Sequence, residues 1–414
     1  MIEMKVISKR FGKVDPLSID SYIKHDGYKG LEKAISNHPS HIIDEVEKSK
    51  IRGRGGAGFP TYIKVRALSK EAGKKYIVCN ADEGEPGNFK DRMIMENDPH
   101  SVIEGMIIMA YATGAEQGYI YIRGEYQIAM NIMKETIKQA KDKGFLGKNI
   151  FNKGFNFEIE IRSGAGSYVC GEEFSLIESI EGKPGRSRTK PPFPTEKGIH
   201  NLPTLINNVE TFANFPYIIT IGGDKFAQIG TNSSTGTKLI SLSGNVKKKG
   251  LYEVPFGTSI RDVIFKLGKG VKDDRKIKMV QLGGASGPII PEYMLDMSID
   301  FDRFENFDSK TGTGAIIVID DRFDIFDILL TNMKFFVHQS CGKCAPCREG
   351  HIQIVNLLNK FINHRATEKD LMSLENLANV IQQTSLCGLG QTSMTSIISS
   401  LRYFRDDYFA KVRY

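Results

Sequence analysis

Short β-rich runs alternate with long helical stretches between residues 50 and 225, and this alternation limits the possible folds more than any other feature of the sequence. The β-rich runs are 76–79, 119–122 and 157–161, and stretches of helical period at 99–113 and 128–143 separate them. Strands and helices that alternate in this way are typical of a parallel sheet with helices on its faces. We therefore predict an α/β, Rossmann-like domain over residues 1–235, which begins with a helical segment at 16–50.

The sequence changes character after a Gly/Ser/Thr-rich stretch at 230–236. Residues 236–322 follow the order strand, turn, strand, helix and two further strands, which predicts a small β-grasp domain. From 323 to 414 the apolar residues recur at helical spacing, with breaks at two cysteine loops and around 364–367. This last part predicts a four-helix bundle.

Length and composition are those of an ordinary globular protein, with 414 residues, 40% hydrophobic and 25% charged. The longest apolar runs, near 105–112 and 315–319, are far shorter than the roughly 20 residues that span a bilayer. The first residues lack the apolar core of a secretory signal. The net charge of +7 includes no run of five like charges, so we expect a cytoplasmic protein with no nucleic-acid partner.

Four cysteines give the strongest chemical signal. Cys341, Cys344 and Cys347 are three residues apart, and Cys387 lies in a second loop further along the chain. Thiolates at this spacing bind one side of a four-iron cluster, and a distant fourth thiolate completes the ligand set. Zinc also accepts four thiolates, but it usually takes them from two separated pairs. The spacing favours a [4Fe–4S] cluster over structural zinc.

A glycine-rich loop at 53–58 matches the pattern G-x-G-x-x-G, with glycines at Gly53, Gly55 and Gly58. Such a loop brings backbone N–H groups close to a phosphate. The dinucleotide-binding motif requires a strand before the loop, whereas a charged helical segment precedes it here. The loop therefore binds an anion in another arrangement or is a flexible turn.

Three further loops carry polar side chains. Residues 80–91 follow a predicted strand and are rich in carboxylates, which could bind hydroxyl groups of a ligand, although a solvated acidic turn with Lys90 and Asp91 at the surface is the plainer alternative. Residues 164–173 combine glycines with carboxylates at a helix start, and Cys170 there is interpreted as a buried thiol, not a nucleophile. Residues 185–194 offer cations and an aromatic ring, or a stiff proline linker.

Seven motifs together resemble one known family. They are GRGGAGFPT, CNADEGEPGNFKDR, GAGSYVCGEE, KPPFP, INNVET, SCGKCAPCREG and SLCGLG, in this order along the whole chain. The sequence is similar to the FMN-binding, NADH-oxidising subunit of bacterial complex I. The resemblance implies an FMN-binding α/β domain, a β-grasp domain and a helical bundle with a [4Fe–4S] cluster.

The resemblance also implies roles for individual residues. It places FMN on Gly53, Gly55, Gly56, Lys64, Asn80, Asp82, Gly171, Glu172, Glu173, Asn207, Asn208 and Thr211, with Glu83 and Tyr168 in the same cofactor site. Phe59 and Phe193 would flank the adenine of NADH, and its polar groups would lie near Lys64, Glu85, Glu173 and Lys190. Glu85 and Glu173 are the predicted catalytic residues, which position NADH over the flavin. The cluster ligands would be Cys341, Cys344, Cys347 and Cys387.

A single cluster cannot complete an electron pathway to quinone, so partner subunits are expected. The resemblance implies a thioredoxin-like [2Fe–2S] subunit and a large multi-cluster iron–sulfur subunit, with the complex holding this chain on the cytoplasmic side of the inner membrane. The diaphorase subunit of a soluble NAD-dependent hydrogenase or formate dehydrogenase is the alternative. A zinc-stabilised scaffold or nucleic-acid-binding protein is a further, different alternative.

Overall fold

A computed structural model describes residues 2–302 and 312–413 of the chain, which form two compact units. The first unit comprises the residues up to Gly84, then Phe89–Leu239 and Glu253–Gly257. The second comprises Glu85–Asn88, Ile240–Tyr252 and the residues from Thr258 onward. The division into three domains at residues 235 and 322 stays a prediction.

The first unit contains a five-stranded sheet with the order β3-β4-β2-β1-β5. Its strands are β1 (Tyr76–Ala81), β2 (Gln117–Ile122), β3 (Gly147–Ile150), β4 (Phe155–Ser163) and β5 (Thr204–Asn208). The pairs β1–β2, β1–β5 and β2–β4 are parallel, and β3 is antiparallel to β4. The predicted parallel sheet is therefore confirmed, and the carboxyl ends of its four parallel strands lie at one edge.

Eleven helices are described in this unit. They are α1 (Ile19–Lys24), α2 (Lys29–Ile35), α3 (Pro39–Lys48), α4 (Thr61–Lys70), α5 (Lys90–Asn97), α6 (Pro99–Thr113), α7 (Gln127–Asp142), α8 (Glu173–Ile180), α9 (Pro194–Lys197), α10 (Val209–Ile221) and α11 (Gly223–Ala227). Helix α6 is apolar and almost wholly buried, because α10 packs against it. Gly105 permits this contact, since a Cβ there would lie 2.0 Å from the Phe212 carbonyl oxygen.

A second five-stranded sheet has the order β7-β6-β10-β8-β9. Its strands are β6 (Thr237–Gly244), β7 (Gly250–Pro255), β8 (Ile277–Leu282), β9 (Ile289–Ile290) and β10 (Ala315–Asp320), and a short helix, α12 (Ile260–Asp262), follows β7. The central pair, β6 and β10, is parallel, whereas β8 is antiparallel to both its neighbours. The first and last strands of this sheet thus form its central parallel pair. This arrangement is typical of a β-grasp, the fold that the order of elements in the sequence predicted.

The chain ends in a helical bundle. Its helices are α13 (Ile325–Gln339), α14 (Ala345–Ile362), α15 (Glu368–Thr384), α16 (Gly388–Ser393), α17 (Thr395–Tyr403) and α18 (Arg405–Phe409). The sequence predicted four helices here, and the structure divides the fourth into the three shorter helices α16, α17 and α18. The turn at Phe404 allows Tyr408 to be buried against Phe326 and Phe361, with its hydroxyl 2.6 Å from Ser400 Oγ. In the described part of the chain, no helix has the length and apolar character needed to span a bilayer.

Candidate functional site

The loops that leave β1 and β5 are tied together at the carboxyl edge of the first sheet. Asn80 lies beside Asn208 in the strand register, and its Nδ2 donates to the Gly171 carbonyl oxygen at 2.9 Å. A Cβ on Gly171 would lie 3.6 Å from the backbone oxygen of Asp82. Three sequence motifs that are far apart in the chain therefore meet at this edge, as the predicted FMN site requires.

The glycine-rich loop is anchored to the start of α10. The Arg54 backbone N–H donates to Thr211 Oγ1 at 2.9 Å, and a Cβ on Gly55 would lie 3.3 Å from Asn208 Cβ. Helix α3 precedes the loop, so the strand of the dinucleotide-binding motif is absent from this described stretch, as the sequence indicated. The loop is thus held against the edge of the sheet by α10, in a different arrangement from the usual dinucleotide fold.

Lys90 and Asp91 are buried, so the alternative of a solvated turn with both residues at the surface is wrong. Lys90 Nζ donates to Asp91 Oδ1 at 2.6 Å and to Asn208 Oδ1 at 3.0 Å, and it lies 3.1 Å from Glu210 Oε2. Burial alone would lower the pKa of Lys90, but Asp91 and Glu210 raise it above its usual range. Packing of α5 against α10 removes these charges from water and makes them partners.

The same network contains a second buried lysine that the sequence did not reveal. Lys238 Nζ lies 2.6 Å from Glu210 Oε2, and burial lowers the pKa of Lys238 to about 8. For Glu210, burial acts against the charged form, but Lys238 and Lys90 lower its pKa overall. Together these charges fix Asn208, because Asn208 Nδ2 donates to Asp91 Oδ2 at 2.7 Å. In the sequence, the signal for the role of Glu210 in this network is its position two residues after Asn208.

Two buried polar side chains at the sheet edge have no internal partners. Neither carboxylate oxygen of Asp82 and neither polar atom of the Asn207 side chain has a hydrogen-bond partner among the described residues. Burial raises the pKa of Asp82 to about 7. Buried polar groups are almost always hydrogen-bonded in proteins, so each exception calls for an explanation such as a bound water, ion or ligand. Both residues were predicted to bind FMN, and their unsatisfied atoms fit the hydroxyl and amide groups that a flavin nucleotide offers.

The start of α8 forms an ion-pair cluster. Glu172 caps the helix, with Oε2 accepting from the backbone N–H of Phe174 and Ser175 at 3.1 and 3.0 Å. Lys190 Nζ lies 3.3 Å from Glu172 Oε1 and pairs also with Glu173. Lys190 is therefore a cation held beside two predicted cofactor-binding carboxylates. The 185–194 segment thus forms ion pairs with the start of α8 in addition to linking two elements.

Three other predicted residues belong to the first unit. Lys64 Nζ donates to the backbone oxygen of Ile206 in β5 at 2.6 Å, and burial lowers the pKa of Lys64. The rings of Phe59 and Phe193 are 47% and 51% exposed, respectively. Large apolar rings left this open are available to stack on a ligand.

Two acidic residues of the 80–91 loop have structural partners. Glu83 accepts from the backbone N–H groups of Asp91 and Arg92 at 2.9 and 3.1 Å and thereby caps α5. Glu85 belongs to the second unit, where its carboxylate accepts from the backbone N–H and hydroxyl of Ser286 at 3.0 and 2.8 Å. Tyr168 packs close to Gly84, since a Cβ there would lie 3.0 Å from Tyr168 Cδ2. The cofactor roles of these residues stay predictions.

The four predicted cluster ligands lie in the second unit at the ends of helices. Cys344 and Cys387 directly precede α14 and α16, where the positive ends of helix dipoles stabilise thiolates. None of the four cysteines forms a disulfide within the described residues, and burial together with the other three cysteines raises the pKa of Cys347 to about 11. The helix N-termini at Cys344 and Cys387 suit thiolate ligands of a cluster. Cys79 and Cys170 are buried, which supports the structural interpretation of Cys170.

Two residues beside Cys347 were missed by the sequence analysis. His351 Nδ1 lies 3.6 Å from Cys347 Sγ, and Ser340 Oγ lies 3.2 Å from the same sulfur. Burial lowers the pKa of His351 to about 4. The spacing Cys-x-x-x-His on a helix, which places both side chains on one face, was the available signal.

Comparisons with known proteins find a family match in each of the two regions that contain the candidate sites. Residues 46–217 match the Nuo51 FMN-binding domain, and residues 327–411 match the iron–sulfur binding region of NADH-ubiquinone oxidoreductase F. The F-type subunit of the NADH-quinone oxidoreductase of Aquifex aeolicus is 45% identical over 405 residues, which cover 98% of this chain and 94% of the relative. The chain belongs to the family of NADH-quinone oxidoreductase F-type subunits.

Other members and relatives of this family show the range of complexes involved. The F-type subunit of Escherichia coli is 37% identical over 96% of this chain and 90% of its own length. The NADP-reducing hydrogenase subunit HndC of Solidesulfovibrio fructosivorans is 45% identical over 99% of this chain and 84% of its own length. A solved NAD⁺-reducing [NiFe]-hydrogenase in the H₂-reduced state matches with a TM-score of 0.87 and 32% identity, covering 99% of this chain and 67% of that one.

Family membership decides the chemical alternatives left open by the sequence. The chain is an oxidoreductase subunit that carries FMN and a [4Fe–4S] cluster and passes electrons from NADH through FMN to the cluster. The zinc scaffold and nucleic-acid alternatives are thereby set aside. Its relatives are subunits of larger complexes, so the chain works with partners.

Proposed function

We propose that this chain is the NADH-oxidising subunit of a respiratory NADH:quinone oxidoreductase. The observation that carries the proposal is the combination of an FMN-binding region and an iron–sulfur region in one chain, with F-type relatives over nearly its whole length. NADH gives up its electrons only as a hydride, and FMN accepts two electrons at once and releases them singly. This chain supplies the sites where that conversion takes place.

On the FMN side, the buried polar groups at the sheet edge orient the nucleotide. The unpartnered carboxylate oxygens of Asp82 accept hydrogen bonds from the polar groups of FMN. The unpartnered amide of Asn207 accepts through its oxygen and donates through its nitrogen. The backbone of the loop with Gly53, Gly55 and Gly56 approaches its phosphate, since glycine leaves the N–H groups uncovered. Asn208 and Thr211 hold this edge and this loop in place through the contacts to Lys90 and Arg54.

On the NADH side, the exposed rings of Phe59 and Phe193 stack on the adenine. The Lys190 ammonium, already paired with Glu172 and Glu173, meets the anionic part of the dinucleotide. No acid–base group is needed for hydride transfer, so the roles of Glu173 and Glu85 are to orient the nicotinamide and to set the charge near the flavin. Lys64, whose Nζ donates to the Ile206 carbonyl oxygen, contributes a further polar group to this site.

The cluster site implies partners downstream. Cys341, Cys344, Cys347 and Cys387 hold one cluster, which receives electrons singly and passes them on. We infer that the next carriers belong to a thioredoxin-like [2Fe–2S] subunit and a large multi-cluster iron–sulfur subunit. The complex then holds this chain on the cytoplasmic side of the inner membrane, and the chain meets the membrane only through its partners.

A second candidate is the same electron-transfer module in a soluble hydrogenase. The HndC subunit is as similar in sequence as the Aquifex relative, and the solved NAD⁺-reducing hydrogenase shares the fold. Copurification distinguishes the two parents. Membrane subunits and quinone reductase activity are expected with this chain in the respiratory complex, whereas a hydrogenase subunit in the purified complex would establish the alternative.

An anaerobic titration with NADH tests the chemistry itself. The full chain, purified and checked for FMN and iron, is titrated while the flavin absorbance is followed. Bleaching near one equivalent of NADH is expected. A chain that holds FMN and iron but does not bleach with NADH would overturn the proposal.

A further inference from the structure

A buried histidine lies against the sulfur of Cys347, one helical turn further along α14. Nδ1 of His351 is 3.6 Å from Cys347 Sγ, and the His351 side chain is fully buried. The other ring nitrogen, Nε2, is 2.7 Å from Ser393 Oγ, and the ring stacks on Phe336 with centroids 5.9 Å apart. These contacts fix the ring with one nitrogen facing the sulfur.

The chemistry of a ligating cysteine decides which nitrogen carries the proton. A cysteine bound to iron is a thiolate, so its sulfur only accepts hydrogen bonds. Nδ1 of His351, which faces this sulfur at 3.6 Å, then carries the proton of the N–H···S contact. Ser393 Oγ holds the other edge of the ring at 2.7 Å from Nε2, and the Ser393 hydroxyl donates to the Gly390 carbonyl oxygen at 2.9 Å.

We propose that His351 donates a hydrogen bond from Nδ1 to the sulfur of Cys347 and so raises the reduction potential of the [4Fe–4S] cluster, with Ser393 holding the ring in this orientation. The inference rests on the proposed assignment of Cys347 as a cluster ligand. A hydrogen bond to a ligand sulfur stabilises the reduced, more negative cluster over the oxidised one. His351 is therefore a positioning residue that acts through Cys347 and does not bind iron itself.

Ser340 approaches the same sulfur and provides a comparison. Its Oγ is 3.2 Å from Cys347 Sγ and accepts from the Gly342 backbone N–H at 3.2 Å. Ser340 is partly exposed, whereas His351 is shielded from water. Because a hydrogen bond in a dry environment is electrostatically stronger, the larger effect on the cluster is expected from His351.

Two substitutions separate the hydrogen bond from the bulk of the ring. His351→Asn keeps an amide N–H close to the place of Nδ1, whereas His351→Gln moves it toward the place of Nε2. In a potentiometric titration of the full chain followed by EPR, His351→Gln should lower the reduced-to-oxidised ratio at fixed potential about tenfold. That change equals about 59 mV for one electron. His351→Asn should keep most of the reduced-to-oxidised ratio of the unaltered chain. His338→Gln, a substitution of an exposed histidine, should leave that ratio unchanged.

A measurement on the unaltered chain covers the case in which the variants lose the cluster. With ¹⁵N-labelled histidine, the reduced cluster should show a ¹⁵N hyperfine coupling transmitted through the N–H···S contact. No such coupling, or equal midpoint potentials for the chain and His351→Gln with four irons in both, would overturn the inference. Iron content and NADH bleaching report separately on the proposed function, so failure of either idea is recognisable.

Discussion

Among individual residues, burial turns ordinary surface residue types into parts of the site. Lys90 and Lys238 are fully buried, and each lies within 3.1 Å of Glu210. Removing one member of such a buried group leaves the opposite charge uncompensated, which is more destabilising than the loss of a surface ion pair. The arrangement therefore makes Asn208 rigid but leaves little tolerance to substitution.

Lys90→Met should destabilise the chain by about 3 to 5 kcal/mol, because Asp91 and Glu210 would lose a buried counter-charge. It should also weaken FMN retention, since Asn208 loses one of its partners. Urea unfolding and the FMN content after gel filtration measure the two effects. Lys134→Met, on the exposed face of α7, is the matched control and should change neither. A Lys90→Met chain as stable as the control would contradict the structural role.

Asp82 predicts a defined pH dependence for the FMN-free chain. Burial raises the folded pKa of Asp82 from 3.8 to about 7, so folding is disfavoured progressively as the pH rises from about 4 to about 7. Asp82→Asn removes this titration. Its stability advantage over the unaltered chain should therefore grow by about 2 to 3 kcal/mol between pH 5 and pH 8. Urea unfolding at both values measures it, and a constant difference would rule out the raised pKa.

At the starts of α5 and α8, a carboxylate accepts from the first backbone N–H groups of the helix. Glu83 accepts from two such groups at the start of α5, and Glu172 does the same at α8. A helix leaves its first N–H groups without partners, so an acceptor at this place stabilises it. The predicted cofactor roles of both residues must therefore be separated from their roles as caps.

Glu83→Ala should lower the stability of the chain by about 1 to 2 kcal/mol through the loss of this cap. Thermal unfolding of the FMN-free chain isolates the effect, since no ligand contributes. Glu96→Ala, later in the same helix, is the comparison variant and should cost less. A large loss of FMN affinity with unchanged stability would instead favour direct contact of Glu83 with the cofactor.

Across the molecule, the two sets of cofactor residues fall in different compact units. The residues proposed to hold FMN lie in the first unit. Glu85, which is predicted to position NADH, lies in the second unit, as do all four cluster cysteines. The first sheet lies wholly in the first unit, and the helical bundle lies wholly in the second. Loss of one cofactor is therefore expected to leave the other in place.

Cys344→Ser should remove most of the iron while leaving FMN bound. NADH should still bleach the flavin, because hydride transfer takes place before the cluster is reached. The iron-to-FMN ratio of the purified chain and its absorbance during an NADH titration give both results. Full iron content in this variant would remove Cys344 from the ligand set, and loss of both cofactors together would show that the units depend on each other.

Local patterns in the sequence were enough to predict the fold class and to single out the polar loops and the four cysteines, whereas the roles of individual cofactor residues came from the family resemblance and stay predictions. Periods of two and 3.6 residues reflect which faces of strands and helices are buried, so the parallel sheet, the β-grasp order and the helical bundle were predictable. Polar loops after strands and the spacing of four cysteines are likewise local features.

Which charges are buried, and what they contact, followed only from the packing of the folded chain. Lys90 meets Asn208 across 118 positions of the chain, and Glu85 meets Ser286 across 201. His351 is near Cys347 in sequence, but its contact with Ser393 depends on how α14 packs in the bundle. Such partners depend on how distant elements pack, and no short stretch of sequence records that packing.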